Sequence, residues 1–235
     1  MRYCRQNLLK VLNKKKQSVL AKQTVSIIGL GALGTRVAEL LARAGAKSFI
    51  LVDRDVVDIT NLQRQTLYTE TDINTYKVEA STIHLLQIVS DLKIKSLIMD
   101  LNKKNINLIF SDLIIDCTDN QETKLLLNKF AVENKIPLIY GSVIKTRGYV
   151  FNIIPNKNSP CLSCFIKKPT EFLGNCDIHG ILNTACSLIA TIQANEAIKI
   201  LTNQEPEKSL IFADIWKNEI TKIHVKKNKS CKVCN

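Results

Sequence analysis

The chain has 235 residues, 46% of them hydrophobic, which suits one large α/β domain of ordinary globular composition. Its formal charge of +12 is spread over scattered lysines with few aromatics among them, so nucleic-acid binding is not expected, although the charge can help attract an acidic protein. The Lys-rich N-terminus lacks the apolar core of a signal peptide, and the most apolar segment, 180–201, is interrupted by Asn183, Thr184, Gln193, Asn195, Glu196 and Lys199; neither a leader nor a membrane span is expected, and the location expected is the cytoplasm.

Residues 1–22 are expected to form an N-terminal helix carrying Leu8, Leu9, Val11 and Leu12. A β-branched apolar run, Val25, Ile27 and Ile28, then reads as a strand buried on both faces. It leads into Gly29, Gly31 and Gly34, a G-x-G-x-x-G in which Ala32 occupies one of the intervening positions. The first glycine permits a tight turn, the second lets backbone approach a phosphate, and the third lets helix and strand pack closely. Val37, Leu40, Leu41 and Ala44 follow at helical spacing, so the loop opens a helix whose N-terminus favours an anion. Asp53 ends the next strand nineteen residues past Gly34, where a ribose-binding carboxylate is expected. Together these predict a nucleotide-binding βαβ unit.

The segment 53–76 is long and aperiodic, the kind of loop that often carries function. A helix bearing Val78, Ala80, Ile83, Leu86 and Ile88 follows, then strands near 94–99 and 113–117, a helix over about 121–133, and a strand at 137–140. Alternating strands and helices imply a Rossmann-like, mostly parallel sheet with helices on both faces. After Gly141 the pattern changes to an antiparallel extension through Tyr149, Phe151 and Ile153. A loop with few apolar residues runs to about Gly180, a long helix carries Leu188, Ile192, Ala197 and Leu201, and short strands at 209–212 and 219–225 lead to the C-terminus.

Four of the eight cysteines form two C-x-x-C pairs, Cys161/Cys164 and Cys231/Cys234, with 66 residues between them. Four thiolates at that spacing make a closed tetrahedral Zn2+ site with a structural role. Cys4, Cys117 and Cys186 read as buried small apolar residues, and His84 and His224 are assigned no chemistry. Polar residues crowd the positions after Asp53: Asp55, Asn61, Gln63, Arg64 and then Lys77. A nicotinamide enzyme leaves these unexplained. A triphosphate with Mg2+ needs cationic clamps, which Arg64 and Lys77 supply, and a carboxylate for the metal, which Asp119 supplies beyond the strand ending in Cys117.

Taken together, Arg5-Gln6, the glycine loop, Asp53, Asn61-Leu62-Gln63-Arg64-Gln65, Lys77, Asp116-Cys117-Thr118-Asp119-Asn120 and the two C-x-x-C pairs resemble, in order and over nearly the whole chain, the ThiF/MoeB/HesA family, prokaryotic relatives of ubiquitin-activating enzymes. The resemblance implies one adenylation domain over 1–235, with an N-terminal helix (1–22), a nucleotide-binding core (23–142) and a carrier-binding and zinc region (143–235). It implies ATP-dependent adenylation of the C-terminal glycine of a small ubiquitin-fold sulfur carrier, ThiS- or MoaD-like and ending in Gly-Gly. Under it, Gly29, Gly31, Ala32, Gly34, Thr60, Asn61, Leu62, Gln63, Arg64, Lys77, Asp119 and Asn120 meet ATP, Asp53 holds the ribose, and Asp119 positions Mg2+. Arg5 is expected to reach the phosphates of the partner subunit in a homodimer. Cys176, near His179, matches the position where some members place a thiol that takes over the acyl group, while others adenylate without it.

The resemblance has local departures: Ala32 replaces a usual glycine, and Ile181-Leu182-Asn183-Thr184-Ala185-Cys186 replaces a Gly/Pro-containing stretch. No sulfurtransferase domain is expected, so the sulfur donor is expected to be a separate protein. Three other readings stand beside this one. They are adenylation of a tRNA-bound carboxylate, an NAD(P) oxidoreductase, and a scaffold that has lost the reaction.

Overall fold

A computed structural model describes residues 2–156, 158–166 and 180–235. Eight strands form one sheet in the order β3-β2-β1-β4-β5-β6-β7-β8: β1 (Thr24–Ile28), β2 (Ser48–Asp53), β3 (Lys93–Ile98), β4 (Leu113–Asp116), β5 (Leu138–Ile144), β6 (Arg147–Ile153), β7 (Leu210–Asp214) and β8 (Glu219–Ile223). The first five strands in that order run parallel. β6, β7 and β8 add to them antiparallel. The mostly parallel α/β sheet and the antiparallel extension are therefore as the hydrophobic pattern predicts.

Strand residues alternate between two apolar layers because successive side chains leave opposite faces. Val25, Ile27, Phe49, Leu51, Leu113 and Ile115 face a layer formed with α2 (Gly34–Ala44), α3 (Lys77–Ile88) and α5 (Asn183–Leu201), and Leu20 of α1 (Lys14–Leu20) packs there too. Ile28, Ile50, Val52, Ile114, Leu138 and Tyr140 face the other layer, with Leu127, Phe130 and Ala131 of α4 (Gln121–Asn134). β1 is the middle one of the five parallel strands, with β2 on one side and β4 on the other. None of the described helices is long and apolar enough to cross a membrane.

Three expectations need correction. The N-terminal segment is two short 3-10 turns, Gln6–Leu8 and Lys10–Leu12, followed by the seven-residue α1, which Asn13 caps by accepting from the Lys16 N–H. Leu8, Leu9 and Val11 are exposed rather than packed, and Leu12 alone of the four named apolar residues is buried. In α3 the buried positions are Lys77, Val78, Ala80, Ser81 and Leu85, which lie at helical spacing on one face, while Ile83 and Leu86 lie off that face and point outward. Cys4 is exposed, whereas Cys117 and Cys186 are buried as expected. The low-apolar loop before Gly180 falls largely on 167–179, which lie outside the described residues, as do Cys176 and His179.

Candidate active site

The carboxyl ends of β1, β2 and β4 meet along one edge of the sheet, where open α/β folds place ligands. A cavity of about 630 Å3 opens there. Its wall includes Gly29, Gly31, Ala32, Asp53, Asn61, Arg64, Gln65, Lys77, Asp119, Asn120 and Lys124.

The three glycines divide the labour. Gly29 has φ +87°, and a Cβ there would stand 2.8 Å from the Cys117 carbonyl oxygen, so the turn needs glycine on two counts. A Cβ on Gly34 would stand 1.9 Å from the Gly29 carbonyl oxygen, so its hydrogen lets α2 close against the loop; it lies beneath the cavity rather than on its wall. Gly31 differs from both. Its Cβ would meet only the Gln65 Nε2, at 3.8 Å, so nothing in the protein's own packing requires glycine there. What the missing Cβ leaves is bare backbone at the head of α2, shaped to receive an anion.

Asp53 ends β2 half-buried beside this loop. Its Oδ2 accepts from the Leu30 N–H at 2.6 Å and its Oδ1 from the Asp55 N–H at 2.8 Å, which orients the carboxylate across the glycine turn. Burial raises its pKa above the ordinary carboxylate value, while those two N–H groups and the Lys77 ammonium pull the other way.

The long segment after Asp53 is pinned rather than loose. Val57 and Thr75 pair through backbone, Asn74 donates to the Val57 carbonyl, and His84 Nε2 meets Asp72 at 2.8 Å. The buried Tyr68 hydroxyl donates to the Leu30 carbonyl at 2.8 Å, tying the segment to the glycine loop. This frame brings Asn61, Arg64 and Lys77 to the cavity. Arg64 Nη1 donates to the Thr60 carbonyl at 2.9 Å, and Lys77, almost fully buried, donates to Asp55 Oδ2 at 2.9 Å. Thr60, Leu62 and Gln63 are off the wall: Thr60 bonds Asp58, Leu62 packs against the core and Gln63 is exposed. Arg5 is exposed at the first 3-10 turn and also lies off the wall.

Asp119 and Asn120 follow β4. Asn120 caps α4 by accepting from the Glu122 and Thr123 N–H groups, and Asp119 is exposed at the cavity. Sequence reading missed the support beneath them. Lys124, 1% exposed, donates to both Asp116 oxygens at 3.2 and 3.1 Å and to the Gly141 carbonyl at 2.9 Å, and lies 4.9 Å from the centre of the Tyr140 ring. Asp116 Oδ1 also accepts from the Thr118 N–H and hydroxyl, fixing the turn that presents Asp119. Nothing in the sequence separates a buried lysine in α4 from the surface lysines around it. The Cys117 thiol is buried and its pKa is pushed well up by that burial, which disfavours the thiolate a nucleophile needs.

Away from this edge, Cys161, Cys164, Cys231 and Cys234 bring their sulfurs within 4.8 Å of one another. Cys161 and Cys231 sulfurs are 3.7 Å apart, and those of Cys164 and Cys234 3.5 Å. Tetrahedral thiolate ligation with metal–sulfur bonds of about 2.3 Å has edges of about 3.8 Å, so the cluster fits a Zn-type site. Asn128 of α4 donates to the Cys161 sulfur at 3.7 Å and accepts from the Leu162 N–H, which orients the first knuckle.

Similarity to known proteins agrees with this geometry. A sulfur carrier protein ThiS adenylyltransferase from Bacillus subtilis (strain 168) is 38% identical over 239 aligned residues, covering 99% of this chain and 71% of the relative. Its namesake in Escherichia coli (strain K12) is 33% identical over 237 residues, covering 100% and 94%. A molybdopterin-synthase adenylyltransferase from Salmonella typhimurium is 30% identical over 238 residues, covering 100% and 96%. The crystal structure of E. coli MccB with MccA-N7isoASN shares the fold, with a TM-score of 0.89 at 22% identity over 100% of this chain and 75% of that one. The sequence profile of the ThiF family matches residues 3–233, and the chain belongs to that family.

Proposed function

We propose that this chain transfers the adenylyl group of ATP to the C-terminal glycine of a small ubiquitin-fold sulfur carrier ending in Gly-Gly, releasing pyrophosphate. The observation that carries the reading is the convergence of Gly31, Asp53, Asn61, Arg64, Lys77 and Asp119 on one cavity at the carboxyl edge of the sheet. The relatives named as adenylyltransferases of ThiS and of molybdopterin synthase support the same class of carrier, in thiamin, molybdenum cofactor or thiolation chemistry.

The chemistry asks little of a base. A carboxylate is ionised at neutral pH. One of its oxygens bonds to the α-phosphorus, the bridging α–β P–O bond breaks, and its electron pair leaves with pyrophosphate. Asp53 takes the ribose hydroxyls. Arg64 and Lys77 neutralise the departing charge, with Lys77 turning from Asp55 to do so, and Asn61 supplies a further donor. Asp119 would hold Mg2+, which lowers the charge on the leaving group when bound. The four cysteines would hold a structural Zn2+. Arg5 completes the site across a homodimer, which explains its exposure away from its own cavity. Cys176 then takes the acyl group from the carrier acyl-adenylate, its sulfur bonding to the carbonyl carbon as AMP leaves, a separate protein supplies the sulfur, and the protein acts in the cytoplasm.

ATP–pyrophosphate exchange tests the reading, with candidate carriers ending in Gly-Gly added one at a time. Exchange that depends on one carrier is expected, and Arg64→Ala should lower its rate about 1000-fold with the fold retained. ATP binding without exchange for any carrier would overturn the reading, leaving a tRNA-bound carboxylate or a scaffold in its place.

A further inference from the structure

One residue on the cavity wall has a chemistry that a triphosphate alone does not satisfy. Gln65 is 4% exposed yet lines the cavity. Its backbone is engaged, with the N–H donating to the Asn61 carbonyl and the carbonyl accepting from the Tyr68 N–H. Its side-chain Oε1 is buried with no hydrogen-bond partner among the described residues. Its Nε2 is the one protein atom that a Cβ on Gly31 would approach within 4 Å. The carboxamide and the bare backbone of Gly31 therefore face the same small space.

Asp53 Oδ2 is bonded to the Leu30 N–H, one residue before Gly31. A ribose held on Asp53 therefore puts the phosphate attached to it, the α-phosphate, next to Gly31 and the Gln65 Nε2. A triphosphate offers acceptors only, so it can take the Nε2–H and cannot satisfy Oε1. A buried acceptor without a partner is costly and calls for a donor from elsewhere. The donor closest to a carboxylate attacking the α-phosphorus is the peptide N–H of the same terminal glycine.

We propose that Gln65 bridges the two reactants, its Nε2–H bonding an α-phosphate oxygen and its Oε1 accepting the N–H of the carrier's terminal glycine. This rests on the adenylation reading and adds a residue that reads the acyl chain. Gln65 stays neutral and moves no proton. It aligns the carboxylate oxygen with the α-phosphorus and stabilises charge on the phosphoryl oxygens as the bond to pyrophosphate breaks.

Two variants of the full chain separate the two ends of the bridge. Gln65→Met keeps the length and removes donor and acceptor; Gln65→Glu keeps an acceptor and removes the donor. ATP binding is read by calorimetry, melting by heat, and exchange with whichever Gly-Gly carrier supports the wild type. For Gln65→Met the expected result is an ATP Kd within about 3-fold of wild type, because Arg64 and Lys77 still hold the phosphates, and a kcat about 100-fold lower. Its carrier KM should rise about 10-fold, the loss of one hydrogen bond. For Gln65→Glu, kcat falls at least as far while the carrier KM stays near that of the wild type.

Wild-type kcat and carrier KM in a folded Gln65→Met protein would overturn the proposal. So would a weakened ATP Kd with an unchanged carrier KM, which assigns Oε1 to the ribose. A melting point lowered in step with activity would reduce Gln65 to a packing role. Wild type that exchanges while both variants match it removes this inference alone. Wild type that exchanges with no carrier removes the adenylation reading and this one together.

Discussion

The two halves of the sheet are stabilised in different ways. In the parallel half, β1, β2 and β4 are buried on both faces, and each glycine, cap and carboxylate at their carboxyl ends is fixed by neighbours a few residues away or by the next strand. The antiparallel half ends in β8, whose five residues are all exposed, and the tail beyond it has no regular structure. That tail returns to the body through Cys231 and Cys234, whose sulfur partners Cys161 and Cys164 lie 70 residues back. Packing suffices for the first half. At the end of the second, a short exposed strand and an irregular tail bury little, and a metal held by the four cysteines would supply the cross-link they lack.

Breaking the cross-link should have the largest effect on stability. Cys231→Ser should release about one zinc per chain and lower Tm by about 10 °C or more. Metal analysis and a thermal melt check this, and a wild type that is metal-free yet equally stable would count against it. A smaller effect separates the glycines of the parallel half. Gly34→Ala forces a Cβ onto the Gly29 carbonyl and should cost about 3 kcal/mol. Gly31→Ala has room for its Cβ, so it should leave the melt unchanged while weakening ATP binding at least about 10-fold. Equal destabilisation by the two would merge roles that the structure keeps apart.

The smallest effect lies in the antiparallel half. The Lys222 ammonium and the Ser209 N–H pull the Glu207 carboxyl down to about 2. A folded-state pKa below the unfolded value of about 4.3 means that the pair stabilises above that pH and is lost as pH falls from about 4.3 towards 2. Glu207→Gln should therefore flatten acid unfolding in that window and shift Tm at pH 7 by no more than about 2 °C, since Lys222 is exposed.

What could be read from the residues follows the same division. The parallel half was legible because its signals are local: β-branched runs, glycine spacing and an acidic residue at the end of β2. The two cysteine pairs were legible for a different reason, since four thiols at matched spacing have few other uses. The N-terminal segment misled because Leu8, Leu9 and Val11 look like a helix face, and apolar spacing carries no information on whether a partner surface exists. Lys124 and Gln65 were overlooked as individuals, the first for looking like any helix lysine, the second for standing beside a more conspicuous arginine. Their burial is a product of tertiary packing, Lys124 against Asp116, Gly141 and Tyr140 of the neighbouring strands and Gln65 against the glycine loop. The grouping of Asp53, Asn61, Arg64, Lys77 and Asp119 at one cavity follows the order of the strands, which sets β2 and β4 on either side of β1.

The position of β1 in the middle of the parallel strands has a consequence for how the protein is made. One edge of β1 is covered by β2 as soon as the first βαβ unit is complete, but the other waits for β4, and the Thr24 N–H bonds Asp112, 88 residues later. A ribosome adding residues in order leaves that edge of Val25, Ile27 and Ile28 unpaired while α2, α3 and β3 are synthesised. A strand buried on both faces in the finished molecule thus keeps one edge open on the nascent chain until residue 113 has been added, so the timing of its closure depends on translation as well as on the affinity of its neighbours.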